Sequence, residues 1–250
     1  MPRNKGNGTG APKTEVFAIG VGDIHFPWAN EAAIKRVIKA IRKNQPKYVI
    51  QIGDLYDFYC HSKYVRSLNI MTPQDEQLAA VAQAKKFWKQ VQKAAPNARC
   101  YQILGNHDER MMLRVMERNP EMEYHMKGIK EAMFTFDGVK TVYDVREELD
   151  LEGIRYIHGY LTKTGDHAQK NQMPIVAGHS HRGGVVSLFG PGSSDIFELN
   201  LGWLGDRHAP VFSYKPQKKM NHWTLGYGII LKHDGKFFPR FIEIPEEEVS

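Results

Sequence analysis

Apolar runs and helical periodicity divide the first part of the chain into a strand, a helix and a second strand. Glu15–Val21 and Tyr48–Ile52 are largely apolar runs of strand length, which predicts two buried strands. Between them, residues 31–44 carry an apolar stripe at helical spacing, and Asn30 stands where a helix N-cap is expected. This β-α-β order is typical of an α/β fold with parallel strands.

The middle of the chain continues the alternation of helices and strands. Residues 55–72 have no clear period and are interpreted as an irregular segment. A helix is predicted from Pro73 to about residue 95, followed by a strand over residues 99–104. A third helix is predicted over residues 109–119, and the weakly patterned residues 120–137 are interpreted as helical lid material.

The remainder of the chain predicts mainly strands. Residues 139–143 and Ile154–Ile157 are interpreted as strands of a second sheet, and residues 161–173 as a polar loop. Asp234-Gly235 is typical of a β-hairpin turn. Further strands are predicted over residues 174–177, 184–189, 195–199, 225–232 and 237–244.

Short polar clusters follow several of the apolar runs, and all of them are built from metal-binding side chains. In open α/β sheets, sites form just beyond the carboxyl ends of strands, so we expect these side chains to converge. Imidazole, carboxylate and one amide, without thiolate, suit Mn, Fe, Zn or Ni better than Ca or a Cys-rich structural Zn site. The clusters are Gly22-Asp23-Ile24-His25, Gly53-Asp54, Gly105-Asn106-His107-Asp108, His158-Gly159 and Gly178-His179-Ser180-His181.

In this order the clusters resemble the motifs of the calcineurin-like metallophosphoesterase family, over roughly residues 15–182. The resemblance implies a four-layer α-β-β-α sandwich of two mixed sheets, with a dinuclear metal site on loops at the sheet edge. It also implies two divalent transition-metal ions, manganese being the first expectation, with Asp54 bridging them. The other expected ligands are Asp23, His25 and His181 for the first ion, and Asn106, His158 and His179 for the second.

Two details of this site are predicted separately. An extended backbone at residues 179–181 would point His179 and His181 to one side. His107 follows a ligand without being one, and the resemblance implies that it protonates the leaving oxygen, as an imidazole can near neutrality. Asp108 either fixes the tautomer of His107 or caps the helix that follows.

The implied reaction is phosphoester hydrolysis by in-line attack of a metal-bridging hydroxide. The leading interpretation is a phosphodiesterase acting on nucleotides or nucleic acid, because the final G-H-x-H is similar to repair-nuclease and cyclic-nucleotide phosphodiesterase branches. The alternatives are a phosphomonoesterase using the same site, and a non-catalytic protein-binding scaffold, which would be expected to have lost ligands. Aromatic and cationic residues after Asp54 either form a substrate wall for stacked bases or pack as a loop: Tyr56, Phe58, Tyr59, Lys63, Tyr64 and Arg66.

Composition adds a basic net charge of +6, which permits an anionic polymer as substrate, although many of the cations lie on predicted helix faces. Residues 14–250 are predicted to form a single domain after a disordered tail at residues 1–13. The chain has no run of 18 apolar residues and no signal sequence, and Cys60 and Cys100 form no metal or redox motif. We therefore expect a cytoplasmic protein with no membrane partner. The last third, around Trp203 and Trp223, resembles small phosphoesterases of phages and prophages.

Overall fold

A computed structural model describes residues 14–63, 70–190, 193–212 and 220–245. The predicted tail at residues 1–13 lies outside the described residues, as do Tyr64 and Arg66 of the predicted substrate wall. The strands are β1 Glu15–Val21, β2 Tyr48–Ile52, β3 Arg99–Ile103, β4 Val139–Val142, β5 Leu149–Leu151, β6 Ile154–Ile157, β7 Ile175–Ala177, β8 Gly183–Gly190, β9 Ser193–Leu201, β10 Gly226–His233 and β11 Lys236–Glu243. The helices are α1 Glu31–Asn44, α2 Pro73–Ala94, α3 Arg110–Met116, α4 Glu123–Phe134 and α5 Asp166–Asn171.

The first sheet has the order β11-β10-β1-β2-β3-β4. Strands β1 to β4 are parallel, and β10 and β11 extend the sheet in antiparallel fashion from β1. The prediction that residues 139–143 belong to the second sheet is wrong, because β4 pairs in parallel with β3, Cys100 opposite Val139. Parallel strands need a long crossover, and the α3–α4 segment provides it.

The second sheet has the order β5-β6-β7-β9-β8. Its three central strands, β6, β7 and β9, are parallel, and the edge strands β5 and β8 are antiparallel to their neighbours. Strand β5 was not predicted, since it has only three residues with one buried side chain. Both sheets are therefore mixed, as expected.

Side chains alternate between the two faces of each strand, and this alternation shows that the two sheets pack face to face. In β2, Ile50 and Ile52 pack against the second sheet, whereas Val49 packs with the apolar faces of α1 and α2. On the far face of the second sheet, Ala168 of α5 packs against Ile157. The order of layers is helix, sheet, sheet, helix, which confirms the four-layer α-β-β-α sandwich.

The ends of the first two helices follow from their sequences. Asn30 Oδ1 accepts a hydrogen bond from Ala33 N at 2.9 Å, and Thr72 Oγ1 accepts one from Asp75 N at 3.1 Å, so both predicted caps are confirmed. Helix α5 was predicted as loop because its six residues, DHAQKN, are too few and too polar to show a period. Among the described residues, none of the helices combines the length and apolar character that a bilayer span requires.

Candidate metal centre and active site

The carboxyl ends of β1, β2, β6 and β7 meet at one edge of the sandwich, where backbone hydrogen bonds join the polar clusters. Asp23 N donates to Gly53 O at 3.1 Å, and His25 N donates to Asp54 O at 3.0 Å. From the other sheet, Gly178 N donates to His158 O at 2.9 Å. His179 N donates to Asp23 Oδ2 at 3.0 Å and His107 N to Asp54 Oδ1 at 2.8 Å, so all five clusters are joined, as the sequence predicts.

The first group of candidate ligands is buried and compact. Asp23, His25, Asp54 and His181 each offer a ligand atom, and these atoms lie within 4.8 Å of one another. His25 Nε2 and His181 Nε2 are 3.1 Å apart, and Asp23 Oδ1 is 3.2 Å from His181 Nε2. Asp23 Oδ1 has no hydrogen-bond partner among the described residues. A buried carboxylate oxygen facing two imidazole nitrogens fits a divalent cation.

The second group surrounds the side-chain oxygen of Asn106. His179 Nδ1 lies 2.9 Å and His158 Nε2 lies 3.0 Å from Asn106 Oδ1. His158 Nε2 is also 3.5 Å from Asp54 Oδ1, so the side chain of Asp54 contacts an imidazole of each group. His158 Nδ1 donates to Ile52 O at 2.9 Å, an arrangement that leaves Nε2 available for a cation. Asn106 is exposed and His179 half-buried, so this group faces solvent.

Five of the seven predicted ligands have a left-handed backbone. The φ angles are 50° for Asp23, 58° for His25, 52° for Asp54, 67° for His179 and 58° for His181. The prediction of an extended backbone at residues 179–181 is therefore wrong. His181 nevertheless lies in the first group and His179 in the second. Non-glycine residues in this region carry a cost of about 1–3 kcal/mol each and concentrate at functional sites.

Two glycines permit the close approach of these loops. A Cβ at Gly105 would lie 2.3 Å from Asp54 Oδ1, and one at Gly53 would lie 2.4 Å from His158 Nδ1. Gly53 also has a positive φ of 91°, which favours glycine. At Gly105 the reason for glycine is only the lack of room for a Cβ atom.

The ionised state of Asp54 depends on the surrounding imidazoles. Burial raises its pKa, but the rings of His107, His158 and His25 outweigh burial and hold the pKa below its ordinary value. His107 N also donates to Asp54 Oδ1 at 2.8 Å. The bridging candidate is therefore a carboxylate at neutral pH.

Asp57 links His107 to the first group. Its Oδ1 atom accepts hydrogen bonds from His25 Nδ1 and His107 Nδ1, each at 2.9 Å, and its side chain is 3% exposed. Burial raises the pKa of Asp57, yet these two hydrogen bonds hold it well below its usual range. Burial lowers the pKa of His107 to about 4, with Asp54 opposing and Arg110 adding to the shift. Asp57, rather than Asp108, orients His107.

Asp108 ties two loops together through their backbones. Its carboxylate accepts hydrogen bonds from Gly105 N at 2.8 Å, Tyr56 N at 2.8 Å and Leu55 N at 3.3 Å. Helix α3 begins after Glu109 without a side-chain cap. Both interpretations of Asp108 from the sequence, tautomer control and helix capping, are therefore wrong.

The predicted aromatic wall is part of the core. Tyr56 is 0%, Phe58 1% and Tyr59 6% exposed, and Tyr56 Oη donates to Met133 O at 2.8 Å. These rings belong to the main apolar cluster, together with buried side chains of α1 and α2. Lys63 remains exposed. The rings cannot stack with substrate bases.

Different aromatic residues border the first group. The ring of Trp203 stacks on His181 with centroids 5.4 Å apart and planes 11° from parallel, and Trp223 meets His181 edge-on at 4.3 Å. Phe212 packs against His25 at 5.8 Å. The sequence named the two tryptophans only through a resemblance of the last third of the chain and did not predict these contacts.

A family model described as calcineurin-like phosphoesterase matches residues 19–210. The match covers more than half of the chain, so the protein belongs to the calcineurin-like phosphoesterase family. It is accordingly a metal-dependent phosphoesterase, and the buried Asp/His group is able to bind metal.

Solved structures also resemble this chain. They include YfcE, a phosphoesterase from E. coli, at 16% identity with a TM-score of 0.40, covering 91% of this chain and 99% of YfcE. A phosphatase from Mycoplasma pneumoniae matches at 11% identity with a TM-score of 0.44, covering 93% of each chain. Vps29 of Chaetomium thermophilum matches at 10% identity and a TM-score of 0.44, covering 92% of this chain and 96% of Vps29. No curated protein matches the sequence.

Proposed function

We propose that the protein is a phosphodiesterase acting on nucleotides or nucleic acid, with two divalent transition-metal ions. The observation that supports the site most directly is the position of Asp54. Its carboxylate contacts both the first group and His158 of the second, as a bridging ligand must. Asp23, His25 and His181 are the proposed further ligands of one ion, and Asn106, His158 and His179 those of the other.

Two divalent ions at such a site supply an acidified water and positive charge for the phosphoryl oxygens. The protein's own contribution is to hold the reacting groups. Asp57 keeps His107 Nδ1 engaged and directs Nε2 towards Asp54, whose Oδ2 lies 3.8 Å away. From there His107 would protonate the leaving oxygen in its imidazolium form, because in the neutral ring the single proton is on Nδ1 and Nε2 must first take up a second one. Manganese is the proposed metal, with iron, zinc and nickel as the alternatives that the same nitrogen and oxygen ligands accept.

The preference for diesters rests on fewer observations than the reaction class. It is supported by the final G-H-x-H sequence and by the net charge of +6. The buried positions of Tyr56, Phe58 and Tyr59 remove the stacking surface that favoured nucleic acid, and they leave a phosphomonoesterase as the second candidate. Two other rings have exposed surface: Tyr160, which is 60% exposed and lies two residues after His158 in the sequence, and the half-buried Trp223, whose ring meets that of His181 at 4.3 Å.

The experiment is a panel of esters assayed with manganese-loaded protein. We expect bis-p-nitrophenyl phosphate to be cleaved faster than p-nitrophenyl phosphate, and at least one cyclic nucleotide or single-stranded oligonucleotide to be hydrolysed. For an oligonucleotide, log affinity should fall with log salt by about 0.7 per neutralised phosphate. Faster cleavage of the monoester, with no cleavage of any nucleotide, would establish the second candidate. The Asp54→Asn variant controls for contaminating phosphatases.

A further inference from the structure

Arg110, the first residue of α3, reaches back to the pair formed by Asp57 and His107. Its Nη1 atom donates to Asp57 O at 3.1 Å, and its Nη2 atom contacts His107 Nε2. Its side chain is 19% exposed, so the guanidinium is held within the site and is still open to solvent on one side. In the sequence, Arg110 and Arg114 lie four residues apart on one helix face, a pattern that fits either phosphate contact or a solvated face.

The surroundings of Arg110 differ from those of the neighbouring Arg114. Arg114, one turn further along, donates to Glu117 Oε2 at 3.1 Å with a side chain 43% exposed. Within the described part of the chain, Arg110 has no carboxylate at hydrogen-bond distance. The nearest carboxylate oxygen, Asp57 Oδ1, is 3.8 Å away and already accepts from two histidines. Its charge is therefore available to an anion that enters the site.

The contact with His107 Nε2 fixes where that anion would bind. Nε2 is the ring nitrogen that Asp57 does not engage, and it lies 3.8 Å from Asp54 Oδ2. A substrate oxygen that reaches His107 Nε2 must approach the Arg110 guanidinium as well. The planar fork of a guanidinium binds two oxygens of a phosphoryl group at once in a fixed geometry, which neither an imidazole nor a lysine offers.

We propose that Arg110 is a substrate-binding residue that takes non-bridging phosphoryl oxygens on the His107 side of the site. The inference deepens the proposed function, because it takes the phosphoryl group as the ligand of the same site. It applies to monoesters and diesters alike, since both have free phosphoryl oxygens. Arg110 leaves His107 Nε2 when the phosphoryl group arrives and stays hydrogen-bonded to Asp57 O.

The test is the binding of inorganic phosphate, which needs no turnover. Isothermal titration calorimetry with manganese-loaded protein would compare wild type, Arg110→Gln, Arg110→Lys and the matched control Arg114→Gln. Loss of one charge-assisted contact to phosphate predicts binding weaker by ~10–100-fold for Arg110→Gln. Arg110→Lys keeps the positive charge but loses the planar fork, so we expect its loss of phosphate affinity to be smaller than that of Arg110→Gln. Arg114→Gln should bind within about twofold of wild type, because its partner is Glu117.

Metal content and melting temperature are measured for every variant before titration. Phosphate binding by Arg110→Gln within about twofold of wild type would overturn the proposal. If Arg110→Gln fails to retain metal, the same criterion applies to Arg110→Lys. An equal loss of phosphate affinity in Arg114→Gln would also overturn the proposal, because the loss would then come from the lower net charge of the protein.

Kinetics separate this inference from the proposed function. The Arg110→Gln defect should be similar for esters with good and poor leaving groups, whereas a defect in the proton donor depends on the leaving group. A protein that binds phosphate through Arg110 but cleaves no ester retains the inference and loses the proposed function. A protein that cleaves esters normally without Arg110 retains the function and loses the inference.

Discussion

Asp57→Asn tests the link between the metal centre and the proton donor. The substitution keeps the shape of the side chain and removes its charge. Since the pKa of Asp57 is well below its usual range, the carboxylate contributes to stability above the unfolded-state pKa of about 3.9, and this is lost only as pH falls through the folded value. An assay at pH 7 therefore measures the removal of a full negative charge.

The expected magnitude follows from the two hydrogen bonds at 2.9 Å. Hydrogen bonds to a charged group contribute about 1.5–3 kcal/mol and neutral ones about 0.5–1.5, so each bond loses about 1 kcal/mol or more. The loss at His25 weakens a metal ligand, and the loss at His107 weakens the proton donor. Mutation of a residue that hydrogen-bonds to a metal ligand typically lowers metal affinity or activity by ~10–100-fold. We expect both quantities to fall within that range.

Metal affinity is measured by titration with manganese, and kcat is measured at a saturating concentration of the metal. Asp150→Asn, which removes an exposed carboxylate paired with Arg155, is the matched control and should change neither quantity by more than about twofold. If Asp57→Asn keeps wild-type metal affinity and wild-type kcat, the link through Asp57 is wrong. A loss of metal affinity alone would show that Asp57 serves His25 and not His107.

Four further predictions concern single residues. Elemental analysis of Asp54→Ala should show that metal is lost from both groups. In the wild type, EDTA should abolish activity and added manganese should restore it. Full activity without metal would contradict the dinuclear centre. His107→Ala should keep its metal while kcat falls ~10²–10⁴-fold, less so with a p-nitrophenolate leaving group, and metal loss would make His107 a ligand. Gly105→Ala should lower both melting temperature and metal content, because its Cβ would lie 2.3 Å from Asp54 Oδ1; normal values would show that the loop can move aside. Cys100 is 4% exposed and burial raises its pKa to about 11, so iodoacetamide at pH 8 should label it only after unfolding, as peptide mass spectrometry would show.

The convergence of the candidate ligands can be predicted from the sequence because its signal is local. Each candidate ligand follows a strand within one to four residues, and parallel strands bring their carboxyl ends to one edge. The positions of Asp23, Asp54 and His158 at that edge therefore follow from the apolar runs before them. The α/β sandwich follows from the same runs and from the family resemblance.

What the sequence did not predict depends on contacts between distant segments. Asp57 orients His107 across 50 positions, and Asp108 binds the backbone of Tyr56 across 52. The stretch after Asp54 mixes rings and cations, and its composition alone does not distinguish a substrate wall from a buried segment. Likewise, β4 joins the first sheet through pairing with β3, which no local pattern encodes.

The backbone and charge of the site also bear on whether the protein is an enzyme or a protein-binding scaffold. Five ligand candidates have positive φ angles, and buried Asp23, Asp54 and Asp57 lie among the imidazoles of His25, His107, His158 and His181. Each feature costs folding free energy, and apolar residues of similar size often stabilise a protein more than buried charges do. A scaffold that binds partners through its surface gains nothing from this arrangement. A cation held between the carboxylates recovers the cost, because ligands that bind only the folded state stabilise it. The site is therefore best explained by metal chemistry, which favours the catalytic interpretation.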